Sequence, residues 1–305
     1  MRIRLIIVSV LFCAFLQAQN NKVPQGKVQR FENFKSQYVD ARNVEVWLPN
    51  DYSDQEKYAV LYMHDGQMLF DAESTWNKQA WEVDEVATKL NAEQKVKKFI
   101  VVGIWNLPLK RHPEYFPQKP YEGLSKVQKD TITAQLQKAG RTKEVFKPYS
   151  DLYLKFLVTE LKPFIDKTYS TLTDKDNTFI AGSSMGGLIS LYAICEYPDV
   201  FSAAACISTH WPGIFAVENN PIPEAFYGYM RKKLPNPETN RIYFDYGDQT
   251  LDALYPPLQK RADSIMVEKG FTSANWTTQY FPGKNHSEEA WAERLYIPME
   301  FLLKK

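Results

Sequence analysis

Histidine and cysteine are scarce in this chain, four of one and three of the other in 305 residues. No Cys/His cluster has metal-ligand spacing, so neither a structural metal site nor a disulfide scaffold is expected. Cys13 lies in the N-terminal apolar run, where bulky Phe12 before it argues against lipidation. Cys195 and Cys206 fall in apolar surroundings and are expected as two buried free thiols rather than a bridge. Net charge is also nearly absent. Lys and Arg number 37 against 36 Asp and Glu, for a formal +1, which argues against a dedicated nucleic-acid binder. Internal repeats and low-complexity tracts are lacking.

Long apolar runs are missing too. The one run of note, residues 5–16, is too short to span a bilayer comfortably. It follows Arg2 and Arg4 and exits through Gln17-Ala18-Gln19. That is the pattern of a secretory signal peptide, expected over residues 1–19 with cleavage close after Ala18 or Gln19. The mature chain, 20–305, is then expected outside the cytoplasm, in a periplasm or the medium, with no stable membrane insertion after signal removal.

What is present is aromatic residues, 14%, and a hydrophobic content of 44%, enough for a substantial core. Residues 27–34 and 43–48 alternate like half-buried antiparallel strands. Short continuous apolar runs at 58–63, 99–104, 178–182 and 201–208 read as strands buried on both faces. Further strands are expected at 242–246 and 276–281. Helical periodicity occupies 81–90, 121–139, 151–169 with a kink at Pro163, 258–268 and 288–303. Strands alternating with helices imply right-handed crossovers and a mostly parallel sheet covered on both faces. Residues 106–150 carry prolines, glycines and many lysines, and are expected to form an inserted cap or lid that contributes little to the core.

One stretch carries chemistry. Gly182-Ser183-Ser184-Met185-Gly186 matches G-x-S-x-G, with an apolar strand before it and Leu188, Leu191, Tyr192 and Cys195 at helical spacing after it. A serine on such a turn presents its hydroxyl, and the helix behind it points backbone N–H groups at the same spot. Serine needs a base, usually a histidine oriented by a carboxylate. On an α/β-hydrolase sheet the chain order is Ser, then Asp or Glu, then His. His64 and His112 precede Ser184, and His210 comes before the strand that delivers the acid. His286, after the last strand, is the remaining candidate base. The acid loop offers Asp252 and Asp248, with Asp252 favoured for its reach, while Asp245 lies within a strand. A dyad with no acid stays open. The oxyanion donors are expected to be the backbone N–H groups of Met185 and Gln67, the latter in His64-Asp65-Gly66-Gln67.

These segments, together with Trp105-Asn106, Arg111-x-x-Glu114-Tyr115-x-Pro117 and Asn285-His286 before Trp291, resemble the esterase group of the α/β-hydrolase superfamily. That group includes esterase D, the enterochelin esterases and the family-1 carbohydrate esterases. The resemblance covers nearly the whole mature chain. It implies an α/β-hydrolase fold and a serine esterase with Ser184 as nucleophile, His286 as base and Gln67 as oxyanion donor. No cofactor or metal is implied. The substrate would be a small-molecule or oligosaccharide ester, carrying acetyl or feruloyl groups or belonging to a siderophore. Where several relatives have Gly-x-x-Asp, this chain has Gly247-x-x-Thr250. Trp105, Arg111 and Trp211 are the candidate substrate contacts. Arg111 and Glu114 are expected either at the pocket mouth or in an internal ion pair.

Overall fold

The computed structural model describes residues 18–21, 23–215 and 218–305. The leader expected over 1–19 lies outside the described residues, except for Ala18 and Gln19. Nine strands form one sheet in the order β1-β2-β3-β5-β4-β6-β7-β8-β9. The first three, β1 (Ala18–Asn21), β2 (Lys27–Phe34) and β3 (Arg42–Leu48), are antiparallel, and β3 meets β5 (Phe99–Ile104) antiparallel as well. From β5 onward the sheet is parallel, through β4 (Ala59–His64), β6 (Thr178–Ser183), β7 (Ala203–Ile207), β8 (Arg241–Tyr246) and β9 (Trp276–Tyr280).

The continuous apolar runs are explained by the two cores they serve. Val60 and Tyr62 of β4 enter one hydrophobic cluster, and Ala59, Leu61 and Met63 enter the other. Side chains alternate across a strand, so a strand covered on both faces must be apolar throughout. Helices α1 (Val83–Glu93) and α11 (Tyr296–Leu303) cover one face, contributing Ala87, Leu90, Met299 and Leu302. The other face holds α4 (Lys126–Lys138), α5 (Ser150–Phe156), α6 (Lys162–Thr168), α7 (Met185–Glu196), α8 (Ile222–Lys233) and α9 (Tyr255–Glu268), together with the short α2 (Arg111–Tyr115) and α3 (Gln118–Glu122).

Several helix boundaries differ from the periodicity, each for a local reason. The helix expected from Trp81 starts at Val83, because Trp81 and Val83 donate their N–H groups to the Met68 and Leu69 carbonyls and Glu82 between them is left-handed, with φ 53. The 121–139 pattern divides at Ser125, whose side chain and Gln128 make a reciprocal capping box that starts α4. The expected kink at Pro163 is a wide, π-type turn over Leu157–Leu161 joining α5 to α6, one way a helix accommodates a missing proline N–H. The last helix is two: α10 (Glu288–Ala292) and α11, and Pro298 cannot donate back to Arg294 to join them. Helix α8 was not foreseen.

Part of the inserted segment belongs to the core, while Asn106, Arg111 and Arg141 within it line the cleft described below. Tyr115, Phe116, Ile132 and Leu136 within it are fully buried and belong to the larger cluster. Aromatic side chains of this size contribute several kcal/mol each when buried, about 3–5 kcal/mol by truncation. The basic, Pro/Gly-punctuated composition reflects its outer surface, while its inner face is apolar. Cys195 and Cys206 are buried and free, as expected.

Candidate active site

Ser184 stands between β6 and α7 with φ 58 and ψ −121. That conformation is strained for a residue with a side chain. It persists because the backbone around it is fixed. The Ser184 N–H donates to the Ile207 carbonyl at 2.9 Å, and the Ser184 carbonyl accepts from His210 N–H at 3.2 Å. Gly182 is required here: a Cβ on it would lie 2.8 Å from the Gly186 backbone, which no side chain tolerates.

The loops after β8 and β9 meet beside this turn. A Cβ on Gly247 would lie 2.1 Å from the Lys284 carbonyl oxygen, and the Asp248 and Gln249 N–H groups both donate to that oxygen at 3.1 Å. This contact brings Asp252 under His286. His286 Nδ1 is 2.6 Å from Asp252 Oδ1. Asp252 Oδ2 accepts from Gly247 N–H and from the Ser208 hydroxyl, each at 2.7 Å. The carboxyl is completely buried. Burial raises it, but the His286 hydrogen bond and charge, with the Ser208 and Gly247 donors, outweigh that and hold it below the ordinary carboxylate range. Asp248 faces solvent and accepts from the Tyr280 hydroxyl and the Gly283 N–H; it braces the histidine loop and does not touch the ring. Thr250, at the Gly-x-x-Asp position, also serves that loop, its Oγ1 accepting His286 N–H at 3.0 Å.

Behind Asp252 lies a buried polar layer that the sequence reading missed. Ser208 Oγ accepts from Trp291 Nε1 and Arg294 Nη2, both at 3.0 Å. Arg294 also pairs with Asp245, the carboxylate within β8, at 3.0 Å. His286 packs edge-on to Trp291, ring centroids 4.9 Å apart.

On the opposite wall, Gly66 follows β4 because a Cβ there would lie 2.6 Å from the Gly103 backbone. Asp65 just before it has φ 58 and accepts both Arg111 Nε at 2.8 Å and Arg111 Nη2 at 2.7 Å, with Asn106 Nδ2 at 2.7 Å. Gln67 Oε1 accepts Asn106 N–H. Gln67 and Met185 therefore flank Ser184 on one cleft, and Met185, the first residue of α7, has no intrahelical acceptor for its N–H.

The cleft has a volume of about 650 Å³ and is lined by Ser184, Met185, Gln67, Arg111, His210, His286, Trp76 and Phe215, among others. Two expected substrate contacts do not reach it. Trp211 is fully buried, with its Nε1 donating to Gln259 at 2.8 Å. Trp105 lies outside the lining, its Nε1 on Glu45 and its ring under Arg30. Glu114 took the internal alternative, a buried bidentate pair with Arg42 at 2.6 and 2.8 Å. Trp76, Phe215 and His210 line the cleft without having been singled out as contacts, and no motif marked them. Among the described residues, no group of three His, Cys, Asp or Glu side chains could hold a metal ion, and no helix is long and apolar enough to cross a membrane.

Comparison with known proteins adds three likenesses and a family match. The profile of the family described as Putative esterase matches residues 36–299. A protein of Bacillus subtilis (strain 168), YbbA, is 24% identical over 271 residues, 87% of this chain and 93% of its own. An endo-1,4-beta-xylanase/feruloyl esterase of Xylanibacter ruminicola is 27% identical over 190 residues, 60% of this chain but only 22% of that protein. A solved ferulic acid esterase, 20% identical, superposes with a TM-score of 0.64 over 92% of this chain and 98% of its own. The fold is that of the α/β-hydrolases.

Proposed function

The chain belongs to the Putative esterase family and is a carboxylic ester hydrolase; from that premise we propose that it works through an acyl-enzyme on Ser184. The observation that carries this reading is the 2.6 Å contact of His286 Nδ1 with buried Asp252, on the cleft that Ser184 also lines. Asp252 fixes the tautomer with Nδ1 protonated, so Nε2 is free to take the Ser184 hydroxyl proton. Ser184 Oγ adds to the ester carbonyl. The resulting oxyanion is received by the Met185 and Gln67 N–H groups, helped by the N-terminus of α7. His286 returns the proton to the departing alcohol, then activates the water that releases the acid.

We further propose that the substrate is an acyl ester of a carbohydrate, acetyl or feruloyl. Trp76, 86% exposed, stands at the cleft edge. Exposed indoles of this kind suit sugar faces and flat acyl groups. The pattern of residues 1–19 supports export, and N-terminal sequencing of protein from its own host checks it; an intact Met1 would refute it.

The test is labelling by a fluorophosphonate probe, alongside hydrolysis of p-nitrophenyl acetate, methyl ferulate, feruloylated xylo-oligosaccharide and a catecholate siderophore ester. Labelling and hydrolysis should vanish in Ser184→Ala. Hydrolysis that persists in that variant would refute the acyl-enzyme. Preference for the siderophore ester over the feruloylated xylo-oligosaccharide would refute the carbohydrate assignment and leave the mechanism intact.

A further inference from the structure

Helix α4 ends in a Schellman motif. The Gly140 N–H donates to the Gln137 carbonyl at 3.0 Å and the Arg141 N–H to the Leu136 carbonyl at 2.8 Å, with Gly140 at φ 67. The position after that glycine, often apolar in this motif, is here Arg141. Ile132 and Leu136 anchor the helix in the core, so its end delivers Arg141 to a fixed place on the cleft. The Arg141 guanidinium lies over the Phe215 ring, 5.5 Å from its centroid. Phe215 is held in turn. Ile214 before it is buried, and the Gly213 carbonyl accepts from His112 Nε2 at 3.0 Å.

The other charged and titratable side chains of this cleft are engaged. Arg111 is neutralised by Asp65. Glu288 accepts from Asn77 Nδ2 at 2.9 Å. His286 is on Asp252, and His210 Nδ1 is 2.9 Å from the Tyr255 hydroxyl. Burial keeps His112 and His210 uncharged. Arg141 differs. Among the described residues its side chain makes no ion pair and no hydrogen bond, and its partner is the Phe215 ring. That ring shields one face of the guanidinium from water and restrains it. The planar fork of N–H donors stays free, and it matches a carboxylate two bonds at a time.

We propose that Arg141, braced on Phe215, binds a carboxylate on the alcohol half of the substrate, so that the preferred esters are those of an acidic oligosaccharide bearing a uronic acid. The proposal rests on the carbohydrate-ester reading and narrows it. Acetyl and feruloyl groups carry no carboxylate once they are esterified, so the anion belongs to the sugar. No bond to this carboxylate is made or broken in the reaction. The contact is therefore as strong in the ground state as in the transition state, and it acts through KM.

The experiment compares acetylated xylo-oligosaccharides of equal length with and without a glucuronic acid branch. Wild type should favour the acidic substrate about fivefold in kcat/KM, as for a partly exposed ion pair, with the gain in KM. The preference should shrink toward parity as salt is raised from about 0.05 M to about 0.5 M. Arg141→Gln should bring the ratio of the two kcat/KM values to about one, and Arg141→Glu should take it below one by repulsion. Arg141→Lys, which keeps the charge and loses the fork, should fall between wild type and Arg141→Gln. A wild-type ratio within about twofold of one would overturn the proposal and leave the carbohydrate reading standing. A preference that survives in both Arg141→Gln and Arg141→Glu would also overturn it. If wild type cleaves p-nitrophenyl acetate but neither oligosaccharide, the carbohydrate reading itself falls, and this proposal with it.

Discussion

The Ser208 hydroxyl lies 2.7 Å from Asp252 Oδ2 and donates to it, on the side of the carboxylate away from His286. Ser208 can give only one hydrogen, and its oxygen accepts from Trp291 and Arg294. The hydroxyl therefore links the acid to the Asp245–Arg294 ion pair. Removing it leaves Asp252 short of a donor and two buried N–H groups short of an acceptor. Ser208→Ala should destabilise the fold by about 1–3 kcal/mol, the cost of stranded buried polar groups. It should also lower kcat about tenfold by loosening Asp252. Urea unfolding and steady-state kinetics measure both; a variant as stable and as active as wild type would refute the linkage.

Asp252 and Asp248 make opposite predictions. Asp252→Asn places an amide against His286 Nδ1 and favours the wrong tautomer, so kcat should fall on the order of 10²–10⁴-fold. Ser184→Ala and His286→Ala should each be as severe as their double variant, since the groups act as one unit. Asp248→Asn removes only part of an exposed brace and should leave kcat within about threefold. Kinetics of the two asparagine variants decide it: a crippled Asp248→Asn beside a fully active Asp252→Asn would reverse the assignment.

Ser184, His286 and the parallel sheet were legible in the sequence because each is set by a local pattern or by chain order. Asp252 was preferred to Asp248 only for its reach along one short loop, and the Gly247–Lys284 contact is what carries it to the ring. Trp211 was misjudged for a related reason. Indole chemistry is the same in a core and at a pocket mouth, and what separates them is Gln259, 48 residues away, accepting its N–H. Ser208, Tyr255 and His210 carry no motif. Their proximity is produced by β7, β8 and α9 converging at one end of the sheet.

Residues 106–150 yield a third prediction. Composition suggested a cap or lid contributing little to the core, yet Glu114 forms a fully buried pair with Arg42 of β3, and Arg42 lies over the Tyr153 and Phe156 rings. Glu114→Ala leaves an unpaired buried guanidinium and should cost about 3–5 kcal/mol, whereas Arg42→Met with Glu114→Leu should recover much of that loss. In both cases kcat of the folded protein should stay near wild type, because neither side chain lines the cleft. Denaturant midpoints test this; a loss under about 1 kcal/mol for Glu114→Ala would return the segment to the status of a lid.

The buried histidines yield the fourth. Burial pushes His64 and His112 down to about 3, and His210 also lies well below its ordinary value. All three have a folded pKa below the unfolded value of about 6.5. Below pH 6.5 or so the unfolded chain therefore binds protons that the folded chain refuses, and stability falls as pH falls. Asp84, raised to about 7 by burial with Glu85 beside it, acts in the opposite sense, since its folded form takes up a proton first. A difference measurement separates the two. His112 offers the cleanest case, because its Nε2 faces the Gly213 carbonyl at 3.0 Å and must carry hydrogen there. Between pH 7.5 and 5.5, above the range of ordinary carboxylates, one such histidine contributes about 1.4 kcal/mol of lost stability. His112→Gln keeps a donor for Gly213 and removes the titration. Its urea-unfolding free energy should therefore fall by about 1.4 kcal/mol less than that of the wild type over this interval. Equal losses in the two proteins would show that His112 is free to protonate in the folded state.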